Sequence, residues 1–76
     1  MYKILNYNYE GPIKLEIENN IGIYTQYLSV TVGTIDDRLK ESFSCVIQFP
    51  VEDTKESSIK DIIEEEVYIW FKNRFN

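Results

Sequence analysis

Ile21-Gly22-Ile23-Tyr24-Thr25-Gln26-Tyr27-Leu28-Ser29-Val30-Thr31-Val32 is the stretch that decides the fold. It is rich in β-branched and aromatic residues and has the period of a strand, in which successive side chains point to opposite faces. Tyr24, Gln26, Leu28, Val30 and Val32 share one side, and Ile23, Thr25, Tyr27, Ser29 and Thr31 share the other. The first set becomes purely apolar towards its end, so that side should meet a core there. Gly33 closes the run, and Thr34 to Lys40 reads as a polar connection.

Downstream, Ser42 to Phe49 alternates again and places Phe43, Cys45, Ile47 and Phe49 inward. Pro50 ends this strand because proline cannot donate to a sheet ladder. Upstream, Ile13-Lys14-Leu15-Glu16-Ile17-Glu18 alternates apolar and charged residues, which predicts a half-buried strand with Ile13, Leu15 and Ile17 on the core face. Gly11-Pro12 punctuates its start, and Asn19-Asn20 is a turn candidate. Residues 2–9 read either as a preceding edge strand or as an extended arm in which Tyr2, Tyr7 and Tyr9 cover the core.

The last element is a helix from about Ser57 to Phe75. Ser58-Ile59-Lys60-Asp61 resembles a capping box. Asp61 and Glu64 lie near the positive end of the helix dipole, and Lys72 and Arg74 near the negative end. Ile59, Ile62, Ile63, Val67, Ile69, Trp70 and Phe71 are read as one apolar arc. The expected fold is therefore α+β: an antiparallel sheet of three to four strands with one C-terminal helix packed on one face, a single domain over residues 1–76.

Composition narrows the function. The 76 residues are 43% hydrophobic and carry a net charge of −5, from 13 acidic and 8 basic side chains. An acidic chain is a poor match to phosphate backbones and anionic membranes, so no direct nucleic-acid or membrane partner is expected. A protein with a basic surface is the electrostatic complement. Cys45 is the sole cysteine, which excludes an internal disulfide. With no apolar run of membrane-spanning length and no signal-like N-terminus, a cytoplasmic location is expected.

Chemistry has few candidates. Histidine is absent, which removes the commonest general base and transition-metal ligand. Cys45 lies in an inward strand register and reads as a small buried hydrophobe. Glu64-Glu65-Glu66 cannot converge on one ion because adjacent helical residues diverge by about 100°. Gly11, Gly22 and Gly33 are too dispersed for a phosphate loop. No catalytic, cofactor or metal site is expected, and the chain reads as a binding protein.

Glu66 falls inside the apolar arc between Ile62 and Trp70, which calls for pairing with Lys3, Lys14 or Arg38, an overhang of the helix, or a partner. The chain also has six tyrosines, a residue favoured at interfaces, and Tyr68 lies on the polar helix face between Glu64 and Lys72. Expected partner contacts are Asp61, Glu64, Glu65 and Tyr68 on the helix and Asp36 and Asp37 in the connection.

Leu28-Ser29-Val30-Thr31-Val32-Gly33, a charged loop and Glu41-Ser42-Phe43-Ser44-Cys45-Val46-Ile47-Gln48-Phe49-Pro50 together resemble the immunity protein 8 family of bacterial polymorphic-toxin systems. The resemblance covers residues 28–50, and Phe49 stands where that family tends to have threonine. It implies an α+β fold and toxin neutralisation by direct binding, and it carries over no interface residue. A phage-encoded, anti-CRISPR-like inhibitor has the same small acidic build. A third reading is an assembly protein, such as a homodimer, that self-associates through an exposed strand edge or the apolar helix arc.

Overall fold

A computed structural model describes residues 1–75. Four strands, β1 (Tyr2–Tyr9), β2 (Lys14–Glu18), β3 (Ile21–Thr34) and β4 (Lys40–Pro50), are followed by a short 3-10 helix (Val51–Lys55) and by helix α1 (Ile59–Phe75). All strand pairings are antiparallel, and the α+β architecture expected from the sequence is present.

The long β3 organises the sheet. On one side it pairs with β4 without a break, from Ile23↔Pro50 to Gly33↔Lys40. On the other it is shared: β1 covers Leu28 to Thr34 and β2 covers Ile21 to Thr25. The two run in the same direction, so β1 and β2 are two halves of one interrupted edge, and the sheet is three strands wide. Residues 2–9 are thus an edge strand, with a register shift between Ile4 and Asn6.

Gln26 holds the interruption together. Its side chain is buried, and Nε2 donates to Gly11 O (3.0 Å) and Tyr27 O (3.0 Å), while Glu10 N donates to Tyr27 O (2.8 Å). The β2–β3 hairpin turns at Asn19-Asn20, with φ of 50° and 65°. Two positive φ values in a two-residue loop match the right-handed twist of the flanking strands, and asparagine tolerates that region better than most residues.

The core forms on one face only. Leu28, Val30 and Val32 of β3 and Cys45, Ile47 and Phe49 of β4 are buried beneath Ile63, Val67 and Phe71 of α1. Ser58 caps the helix, its Oγ accepting from Asp61 N (3.1 Å). An aromatic cluster closes the helix C-terminal end: Phe75 meets Tyr2 (5.4 Å) and Phe43 (5.3 Å) and stacks on Phe71 (5.3 Å).

Two expectations are corrected. Leu15 and Ile17 lie on the helix side of the sheet, opposite Tyr24 and Gly22, yet they are 58% and 75% exposed. A 17-residue helix spans about 25 Å at ~1.5 Å per residue, whereas the 14-residue β3 spans about 46 Å. The helix therefore roofs only part of the sheet, and the β2–β3 hairpin projects beyond it from a molecule 46 × 23 × 18 Å in extent. Ile69 is exposed as well. Six residues beyond Ile63, it is rotated by about 240° and has left the sheet-facing arc.

Candidate interaction surface

Asp61, Glu64, Glu65 and Tyr68, spaced i, i+3, i+4 and i+7, share one face of α1 within about 100° of arc. All four are exposed, with Glu64 and Glu65 at the two margins of that arc. Glu64 faces β1, where its charge, after burial and Tyr9, helps push the Tyr7 phenol above its ordinary pKa. The Tyr68 ring lies under the Lys72 ammonium, 5.2 Å from Nζ to the ring centroid. Glu65 faces the opposite flank.

On that flank the chain builds a groove that sequence reading did not find. After Pro50 ends β4, the 3-10 helix turns the chain back over β3, across a groove from α1, with Thr54 Oγ1 donating to Val51 O (2.6 Å). Val51 packs over Gly22, where an added Cβ would stand 3.0 Å from Val51 Cγ2, so the small residue lets the turn sit against the sheet. Glu52, Asp53 and Glu56 from this segment then line a groove with Glu65 and Glu66 from α1, together with Lys55, Ser57 and Ile62. Five carboxylates face one ammonium, and that Lys55 Nζ is held by Glu52 at 3.4 Å.

This groove answers the question of Glu66. Its half-buried position arises from the 3-10 segment beside it, and among the described residues it pairs with none of Lys3, Lys14 and Arg38. Nor do the carboxylates crowd around a point: among the described residues no three of them are placed to hold a metal ion. They instead line one concave wall with five acidic side chains, an arrangement suited to steering a cationic surface.

Asp36 and Asp37 lie elsewhere. Their loop sits beside Met1 and Lys3, past the C-terminal end of α1, whereas Asp61 belongs to the first helical turn. They also have local work. Asp36 Oδ1 accepts from Thr34 Oγ1 (2.6 Å) and Arg38 N (3.2 Å), and Asp36 Oδ2 lies 3.5 Å from Arg38 Nε. Asp37 adopts φ of 59° and sits 3.6 Å from Lys3 Nζ.

The Thr34 hydroxyl, and then the Arg38 amide, hold the Asp36 carboxyl below its ordinary pKa. A lowered folded-state pKa means that the contribution of Asp36 is present at neutral pH and is lost as pH falls through that lowered value. The Arg38 amide should accordingly exchange faster in acid than base chemistry alone predicts. Asp36→Asn should remove that acid-sensitive component, as read by pH-dependent amide exchange.

At the C-terminal end of α1, Tyr2, Phe43 and Phe75 floor an open cleft rimmed by Lys40, Glu41 and Arg74. Arg74 stacks on Trp70, 5.3 Å from guanidinium carbon to ring centroid. The 3-10 end of the molecule is thus strongly acidic, whereas the start of β4 mixes Arg38, Lys40 and Arg74 with Asp36, Asp37 and Glu41. Cys45 is buried, which pushes its thiol up and away from the thiolate form.

No helix among the described residues is long and apolar enough to cross a membrane. No family model, curated protein or solved structure matches the chain. Its class is that of a small α+β domain with one covered sheet face.

Proposed function

We propose that this chain is a non-catalytic binding protein that recognises a basic surface on a protein partner and blocks it, as an immunity protein neutralises a toxin. The observation that carries the reading is the groove between the 3-10 helix and α1, where Glu52, Asp53, Glu56, Glu65 and Glu66 surround one already paired lysine. Clustered carboxylates on a rigid wall repel one another, and an incoming array of Lys and Arg relieves that repulsion as it binds. Nuclease effectors carry such arrays in their substrate clefts, which makes them the partner class that fits best. The lack of histidine and the buried, protonated Cys45 support contact in place of bond-making.

The test is affinity capture from the source cells, followed by kinetics and inhibition assays with the recovered partner. Glu65→Lys combined with Glu66→Lys is expected to slow association by about tenfold at low salt and to change dissociation little, as losses of steering do. Asp36→Asn should bind as the parent does. Unchanged association of the double charge reversal, with its fold intact by circular dichroism, would remove the groove from the contact surface.

A further inference from the structure

The β4 edge is unlike the other edge of the sheet. The β1–β2 edge is broken at Gly11-Pro12, shifts register after Ile4, and carries Lys3, Glu10, Lys14, Glu16 and Glu18. Interruptions and charges of this kind discourage strand addition. β4 runs for 11 residues in constant register with β3, and from Ser42 to Phe49 it carries no charge. Its orientation follows from burial. Cys45, Ile47 and Phe49 are 2–5% exposed, so their backbone groups must be satisfied by β3. In an antiparallel strand the next residues alternate, and so Ser44, Val46 and Gln48 turn their N–H and C=O groups to the open edge. Pro50 falls in the same series, where its missing N–H leaves the ladder to β3 intact.

We propose that β4 pairs antiparallel with β4 of a second copy of this chain, about a two-fold axis at Val46. Self-pairing in that register is complementary at each level. On the open face it sets Val46 against Val46 and Ser44 against Gln48. On the helix face it sets Cys45 against Ile47 and Phe43 against Phe49, which continues both apolar rows across the axis. It also brings the Lys40 end of one strand alongside the Pro50 end of the other, where the chain turns into the acidic Glu52-Asp53 segment. Lys40 makes no ion pair among the described residues. The acidic exit of β4 thereby comes near the unpaired Lys40, twice by symmetry. α1 packs closest to β4 and reaches Tyr2 on β1 through Phe75, while Ser44, Val46 and Gln48 stay exposed at the joining edge. This inference rests on the strand edge and shares only Glu52 with the groove.

Sedimentation equilibrium of the full chain over a concentration series is the test. The expected mass rises from 9.0 kDa towards twice that value. Val46→Pro deletes only an edge-facing donor and should weaken self-association by about thirty-fold, the loss of two mutual hydrogen bonds. Val46→Lys places like charges at the axis and should weaken it comparably, and it decides the matter if the proline variant does not fold. Lys40→Glu should weaken pairing, and adding Glu52→Lys in the same chain should restore it. A parent that stays at 9.0 kDa throughout, or folded Val46→Lys chains that dimerise as the parent does, would overturn the proposal.

Discussion

Leu28→Ala is expected to cost about 3 kcal/mol of folding stability, the middle of the range for deleting a buried leucine side chain. Leu28 is 2% exposed at the centre of β3, between Tyr9 on β1 and Cys45 on β4. Nothing around it can collapse easily, because both neighbouring strands are fixed by ladder hydrogen bonds. A 76-residue domain has in total only roughly 4–11 kcal/mol at the usual 0.05–0.15 per residue. The variant should therefore lose a large share of its margin. Leu15→Ala and Ile17→Ala, equally apolar but exposed, should each stay within about 0.5 kcal/mol of the parent. Urea unfolding followed by Trp70 fluorescence and circular dichroism measures all three. Equal losses at the three positions would contradict a helix that covers only part of the sheet.

Gln26→Ala is expected to cost about 2 kcal/mol, because it removes two buried hydrogen bonds and leaves a hole beneath the break between β1 and β2. Gln26→Leu keeps the volume and should cost about 1 kcal/mol, the polar part alone. Both should speed exchange of the Glu10 amide, which bonds Tyr27 O beside the plug. A Glu10 amide as protected in Gln26→Ala as in the parent would show that the Gly11-Pro12 segment holds itself.

Most of the fold is written in short-range periodicity. Leu28 to Val32 and Phe43 to Phe49 alternate with the pleat, and Ser58 announces the helix that Ile63, Val67 and Phe71 pin to the sheet. The edge shared by β1 and β2 is less legible. Gly11-Pro12 marks a break, but nothing local says that the chain resumes along the same strand. The exposure of Leu15 and Ile17 escapes a pattern argument, since alternation identifies a face and only relative element lengths say how much of it is roofed.

The candidate site divides in the same way. Glu65 and the half-buried position of Glu66 are legible from helical phase. Glu52, Asp53 and Glu56 join them because of a chain reversal after Pro50, a tertiary event with weak local signal. Asp36 and Asp37 stand out as an acidic pair, yet Thr34, Arg38 and Lys3 engage them in shaping the β3–β4 loop.

The most direct measurement of the account is residue-resolved NMR mapping of the chain titrated with its captured partner. The expected result is that amide shifts concentrate at Glu52, Asp53, Glu56, Glu65 and Glu66, weaken as salt is raised, and leave the Thr34–Leu39 loop unmoved. Shifts confined to that loop or to the aromatic cleft at Phe75, with the groove silent, would contradict it.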